Sequence, residues 1–247
     1  PLFQAVLRKG LFWFYLERRD IHATVKQEKR PPCSSLYIPD KKSLLFQVSY
    51  HNNRMNFEVF HGLTDGTGAM NFLEELVQNY LILAHPETEL PRVEHEEEIT
   101  PGDQEEDSFS QYYSSEIPRN KEKKPAAVKL KGEKLVHSDM DITEVILNVK
   151  ETLAKARSYG VSITILLTAM LLCSIQEEIP RNRQKKPVTL MIPVNLRNYF
   201  PSQSMGNFFG WIEVGYVFEE DTSFEEVLAS VKQQFQKQLQ KDRIAMN

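Results

Sequence analysis

Between Leu44 and Leu83 the hydrophobic pattern changes period, and that change constrains the fold more than any other feature of the sequence. Leu44, Phe46, Val48 and Tyr50 alternate with Leu45, Gln47 and Ser49, the pattern of a strand with one buried face. Asparagine tolerates positive φ, so His51-Asn52-Asn53-Arg54 is expected to form a hairpin loop. Met55 to Phe60 then returns as the partner strand, with Phe57, Val59 and His61 on one face. From Gly66 to Leu83 the step changes. Ala69, Phe72, Leu73, Leu76, Val77, Tyr80 and Leu81 recur at three and four residues, the stripe of an amphipathic helix. A hairpin running directly into a helix predicts an α/β or α+β fold.

The flanking sequence extends this pattern. Pro1 to Leu7 and Leu11 to Leu16 are predicted strands joined by a turn at Arg8-Lys9-Gly10, and the aromatic run Phe12-Trp13-Phe14-Tyr15 is expected in the core or on the sheet surface. Residues 84–134 are rich in proline and charge and are expected to connect two structural units. Ile142, Val145, Ile146, Val149, Leu153 and Ala156 predict a helix with Gly160 as its C-cap. Ser162 is expected to cap a second helix, apolar on nearly all sides through Ile175 and therefore central. Val188 to Val194 and Trp211 to Phe218 alternate as strands. Ser223-Phe-Glu-Glu226 is a capping box for a last helix that turns Phe224, Val227, Leu228, Val231 and Phe235 inward and ends near Lys241.

Bulk properties remove several function classes. A formal charge of −4 over 247 residues gives no basis for nucleic-acid binding. The lysines between 119 and 134 share their segment with Pro118 and Pro125, as in a solvated connector. Cys33 and Cys173 are too few for a disulfide framework or a metal site. The acids at 94–98 and 103–107 lack the spacing and central glycine of a calcium loop. The apolar run 163–173 is shorter than the roughly 20 residues that span a bilayer, and Arg8 and Lys9 interrupt any leader-like start. A cytoplasmic protein without a membrane span and without a bound metal is expected.

The chemical signal is His61-Gly-Leu-Thr-Asp65-Gly66. The bare His-x-x-x-Asp spacing also occurs at His137 and Asp141, but there Ile142 replaces the glycine. Imidazole titrates near neutrality, so a histidine held at a strand end can act as a general base. Asp65, past a sharp turn, is expected to point back into the protein, where a buried carboxylate needs a cation. It also stands at a helix N-terminus, where the macrodipole favours it. Gly66 is expected to allow a tight exit and a close backbone approach. Far along the chain, Ile192-Pro-Val-Asn-Leu-Arg197 ends a predicted strand with an arginine suited to bidentate pairing, and Met205-Gly-Asn-Phe-Phe-Gly210 follows. The simpler alternative for His61 is a core histidine bonded to a backbone carbonyl. His22, His51, His85 and His95 lie in polar, loop-like surroundings.

His61-x-x-x-Asp65-Gly66, Pro193-Val-Asn-Leu-Arg197 and Gly206-Asn207-Phe208, in this order, resemble the chloramphenicol-acetyltransferase-like superfamily. The chain is most similar to condensation domains of nonribosomal peptide synthetases and to alcohol acetyltransferase-like proteins. The resemblance implies a two-lobed, coenzyme A-dependent acyltransferase-like sandwich, incomplete here at both ends. Residues 1–118 would form the N-terminal lobe, with a linker from about 84, and residues 119–247 the start of a C-terminal lobe. By the same resemblance His61 is the base, Asp65 is structural and pairs with Arg197 of the far lobe, Gly66 shapes the site and Asn207 lies near it. The implied co-substrate is an acyl thioester, on coenzyme A or carrier-protein pantetheine, with an alcohol or amine as acceptor and no bound cofactor. Condensation domains usually carry a second histidine where Phe60 stands, which favours the alcohol acetyltransferase-like branch. The alternative is a non-catalytic relative that binds an acyl chain, a carrier protein or another partner.

Overall fold

The computed structural model describes residues 2–31, 33–38, 42–89, 100–113, 125–132, 135, 141–180 and 185–240. They divide into two compact units. Unit 1 comprises Pro1–Tyr113, Leu135–Met140 and Asn195–Phe209, and unit 2 comprises Ser114–Lys134, Asp141–Val194 and Gly210–Asn247. The segment that carries Arg197 therefore folds with the N-terminal unit, whereas the sequence placed it in the far lobe.

In unit 1, strands β1 (Ala5–Lys9) and β2 (Phe14–Arg18) pair antiparallel, Ala5 opposite Arg18. A short 3-10 turn at Leu2–Gln4 replaces the start of the expected first strand. The turn tightens at Gly10, whose N–H bonds the Trp13 carbonyl at 2.7 Å, so Leu11 and Phe12 sit in the loop and not in the second strand. Phe12 and Trp13 are exposed, and Phe14 and Tyr15 are half-exposed on the sheet surface.

β4 (Phe46–His51) and β5 (Arg54–Val59) form the predicted hairpin, His51 opposite Arg54, and Asn52 takes the positive φ of 50° that its loop requires. β3 (Lys26–Gln27) adds a short parallel edge to β4. The expected inward face is only partly right. Leu45, Val48 and Ser49 are buried and Tyr50 is exposed, because Leu45 precedes the strand and its carbonyl takes the Phe60 N–H. The first long helix, α1 (Gly66–Ala84), follows at once. Its Phe72 ring packs with Phe3, Phe46 and Phe57, which joins helix, hairpin and N-terminal segment in one small core with Leu45 and Leu63.

Part of the expected connector is folded. Thr100 and Asp103 make a reciprocal capping box at α2 (Pro101–Glu105), and Asp107 caps α3 (Ser108–Tyr112). Proline at the first helical position and acids in the first turn favour such starts, and a purely compositional reading overlooks them.

Unit 2 is organised around aliphatic packing. α4 runs Val149–Ser158. The expected stripe from Ile142 is not helical, because Asn148 caps the helix, its Oδ1 accepting from the N–H groups of Lys150 and Glu151. Gly160 takes φ +64°, and the Val161→Ala156 and Gly160→Arg157 bonds complete a Schellman end. Ser162 caps α5 (Ile163–Glu177), which buries Leu166, Thr168, Ala169 and Leu172 and leaves Leu167, Met170 and Leu171 half-exposed. Among the described residues one face of that helix is covered and the other is not, whereas its composition predicts enclosure.

β6 (Val188–Asn195) and β7 (Phe209–Tyr216) form a two-stranded sheet, and α6 (Phe224–Gln238) starts at the predicted capping box. Val227, Leu228, Val231 and Phe235 of α6 pack with Leu172, Ile212 and Val214. Among the described residues no single helix is long and apolar enough to cross a membrane.

Candidate functional site

His61 leaves the end of β5, and four residues later Asp65 opens α1. The backbone between them is a tight turn, with the Leu63 N–H on the Phe60 carbonyl at 2.8 Å. Leu63 is buried in the aromatic core, which anchors the turn and leaves His61 exposed beside it. The imidazole lies 5.7 Å from the Phe209 ring, centroid to centroid. No hydrogen bond to the imidazole occurs among the described residues. The core-histidine alternative does not fit that exposure.

Asp65 faces the other way. It is 6% exposed, and both of its oxygens are occupied. Oδ1 accepts from the N–H groups of Thr67 and Gly68, each at 3.1 Å, which is the N-cap of α1. Oδ2 accepts from Arg197 Nη1 at 2.7 Å and from the Phe208 N–H at 2.8 Å. Burial pushes the carboxyl pKa up. The Arg197 hydrogen bond, the Phe208 and Gly68 N–H groups and the guanidinium charge together outweigh it and hold the pKa below its ordinary value. Helix cap and ion pair thus coexist in one side chain.

Arg197 meets Asp65 through one nitrogen, not as the two-pronged pair its chemistry allows. The rest of the guanidinium serves a loop: Nη2 donates to the carbonyls of Ser204 and Gly206, both at 2.7 Å, and Nε reaches Ser204 at 3.2 Å. The Phe208 ring lies 5.9 Å from the guanidinium carbon. An arginine with several donors in a fixed fork can hold a carboxylate and a curled backbone together, which a lysine cannot.

Gly66 does not have the role its sequence position suggested. A Cβ there would meet nothing within 4 Å. The close approach is at Gly68, where a Cβ would come within 2.2 Å of the Met205 carbonyl oxygen and 2.3 Å of Thr64 Oγ1. Thr64 itself is buried and donates to that same carbonyl. The Gly66-x-Gly68 spacing at a helix start was the available signal, and the first glycine was the wrong one to choose.

Sequence reasoning also passed over Asn195. Its side chain bonds Thr67 Oγ1 at 3.1 Å and accepts from the Arg197 N–H at 3.0 Å, so it ties the end of β6 to the first turn of α1. The helices α2 and α3 buttress the same loop. Gln104 accepts the Met205 N–H, Ser108 bonds Ser202, Tyr112 donates to the Pro201 carbonyl, and Phe109 and Tyr112 pack on Phe208. Asn207 reaches the other side of the turn, its Nδ2 donating to the His61 carbonyl at 2.9 Å.

The other described histidines lie outside this network. His22, His51 and His85 are exposed, and His85 lies 3.7 Å from Glu87. His95, His137 and the acidic residues 94–98 lie outside the described residues, as does much of the lysine run from 119 to 134. Among the described residues no cluster of histidine, cysteine or carboxylates could hold a metal ion. Cys33 and Cys173 are free, and burial, then Glu177, raises the Cys173 pKa.

Comparison with known proteins bears on the fold. Residues 139–247 match the family model described as phthiocerol/phthiodiolone dimycocerosyl transferase C-terminus. No curated protein sequence matches the chain. Polyketide synthase associated protein 5 from Mycobacterium tuberculosis superposes with a TM-score of 0.63 at 17% identity, over 100% of this chain and 64% of that one. The first condensation domain of the calcium-dependent antibiotic synthetase, solved with a substrate analogue, gives 0.55 at 12% identity, over 98% of this chain and 64% of that one. A four-domain nonribosomal peptide synthetase bound to AMP and glycine gives 0.53 at 15% identity, over 99% of this chain and 20% of that one. The chain thus spans about two-thirds of the length of the first two structures, 64% in each case.

Proposed function

Because the chain has the condensation fold of the chloramphenicol-acetyltransferase-like superfamily, and its C-terminal part matches a transferase family, we propose that it belongs to an enzyme that moves an acyl group from a thioester to an alcohol or amine. The donor is an acyl-coenzyme A or a pantetheine thioester on a carrier protein. His61 is the general base. Asp65 and Arg197 hold the turn on which it sits, and Asn207 adjoins it. The supporting observation is the division of labour within one turn: an exposed imidazole without a hydrogen-bond partner among the described residues, and a buried carboxylate locked away from it.

In the reaction the imidazole takes the proton of the acceptor O–H or N–H as its lone pair attacks the thioester carbonyl. The tetrahedral intermediate collapses with cleavage of the C–S bond, and the imidazolium returns the proton to the departing thiolate. Ester or amide and free thiol result, with no net proton change at the enzyme. A base placed in this way contributes about 10²–10⁴-fold. Asp65, already engaged by four donors, does not exchange protons with His61.

The test is mass spectrometry of the full-length protein incubated with acyl-coenzyme A and a panel of alcohols and amines, with His61→Ala as control. The expected result is ester or amide formation that falls by about a hundredfold or more in the variant, whose melting temperature stays unchanged. Near-wild-type transfer by the variant would remove His61 as the base. Thioester binding without turnover in both proteins would favour a non-catalytic binding module.

A further inference from the structure

We propose that Asn207 is a positioning residue, the link through which the Asp65–Arg197 pair orients His61. This inference rests on the reading of His61 as the base.

The first observation is how the loop from Ser204 to Phe208 is held. Its carbonyls at Ser204 and Gly206 accept from Arg197, and the Met205 carbonyl accepts from Thr64 Oγ1. The Met205 N–H donates to Gln104 and the Phe208 N–H to Asp65. The two neighbours of Asn207 are thereby tied to the carboxylate that caps α1, Phe208 directly and Gly206 through Arg197. Among the described residues, the hydrogen bond that crosses from this loop to His61 is the one from the Asn207 side chain.

The second observation is the state of that amide. Nδ2 donates to the His61 carbonyl at 2.9 Å, a contact between residues 146 apart in the chain. Oδ1 is shut off from solvent and has no hydrogen-bond partner among the described residues. Flipping the amide would not relieve this, since it would set Oδ1 against the His61 carbonyl oxygen, two acceptors face to face. A buried unpaired acceptor is normally avoided in folded proteins. Here it accompanies a bond that fixes the peptide plane directly after His61. That plane sets ψ of His61 and, with it, the direction in which Cβ presents the ring.

The Asp65–Arg197 pair does not touch the imidazole. Its influence on the base travels through the rigid loop to Asn207 and from there to a backbone carbonyl. A base must be held within a fraction of an ångström of its productive position, and a displacement of about 1 Å can cost roughly a hundredfold in rate. Asn207→Ala removes the link and leaves the Arg197 network whole.

Two measurements on the full-length protein test the idea. In Asn207→Ala, kcat should fall by about ten- to a hundredfold while KM for thioester and acceptor stays within about twofold. In parallel, the His61 ring resonances of histidine-labelled protein, assigned with His61→Ala, should shift in Asn207→Ala but not those of His22, His51 or His85. Asn207→Asp matches the shape of asparagine but, once ionised, has no N–H to donate, so it should reproduce the kcat loss if the alanine variant folds poorly. A wild-type kcat in a folded variant, or unchanged His61 resonances, would overturn the proposal. The resonance experiment does not depend on turnover. Asn207 can therefore fail while His61→Ala still shows the base, and His61 can fail as base while the resonances still show the positioning.

Discussion

The two units are held together by different physics. Unit 2 is stabilised by hydrocarbon. Leu172, Ile212, Val214, Val227 and Val231 are essentially inaccessible to solvent, and the α5–α6 contact needs only shape and apolar area. Unit 1 has a smaller apolar core built on four phenylalanine rings, and beside it an ion pair with side chains 11% and 7% exposed. Around that pair, hydrogen bonds join four chain segments: the turn at 61–68, the residues 104–112, the end of β6 and the loop 204–208. The difference shows what each arrangement suits. Apolar packing is forgiving of small shifts and carries no orientation, whereas a saturated polar network is lost as a unit but fixes directions. The candidate base lies beside the second kind.

Removing one partner of the network should have the largest effect. Asp65→Ala leaves Arg197 buried without its anion and is expected to cost roughly 3–5 kcal/mol. Hydrogen exchange should show it as lost protection at 64–68 and 204–208, with α5 and α6 unaffected. An unchanged melting temperature would mean that the network does not stabilise unit 1.

Leu172→Ala in unit 2 should cost about 2–5 kcal/mol, since Leu172 is fully buried and its loss leaves a cavity. Its exchange signature should be confined to α5, α6 and the β6–β7 sheet. Losses appearing equally in unit 1 would erase the contrast between the two regions.

Acid should separate the units more gently. The Asp65 pKa is depressed below its ordinary value of 3.8, because the Arg197 and backbone hydrogen bonds outweigh the opposing effect of burial. The stabilisation is therefore fully present above the unfolded pKa and disappears as pH falls through the lower folded value. The thermal stability of unit 1 should fall as pH drops below about 4, while the Leu172→Ala difference in unit 2 should stay constant with pH. Equal acid sensitivity of wild type and Asp65→Asn would show that another group titrates.

Some of this could be read directly from the chain. The Asn52-Asn53 hairpin, the amphipathic helix from Gly66, the Gly160 end and the Ser223 capping box follow from local rules, since each depends on residues within one or two turns. Where the reading failed, either a local cap outweighed the hydrophobic pattern or packing from elsewhere in the chain decided. The stripe at Ile142–Ile146 has helical spacing, but Asn148 starts the helix later. Leu167, Met170 and Leu171 looked like core because they are apolar, yet burial depends on what packs against a face, which composition does not state. The folded helices at 101–112 were hidden by their polar residues, although the Thr100 and Asp103 box was visible.

By itself the sequence determined that His61 and Asp65 stand four residues apart across a strand-to-helix turn, because hydrophobic period and capping chemistry are local. Only the tertiary structure decided that Arg197 meets that carboxylate through one nitrogen while clamping a loop with the others. It also decided that Gly68, not Gly66, is where the backbone needs room, and that Asn207 closes on the His61 carbonyl. Those facts depend on segments more than a hundred residues apart meeting in space, and no local pattern encodes the distance between them.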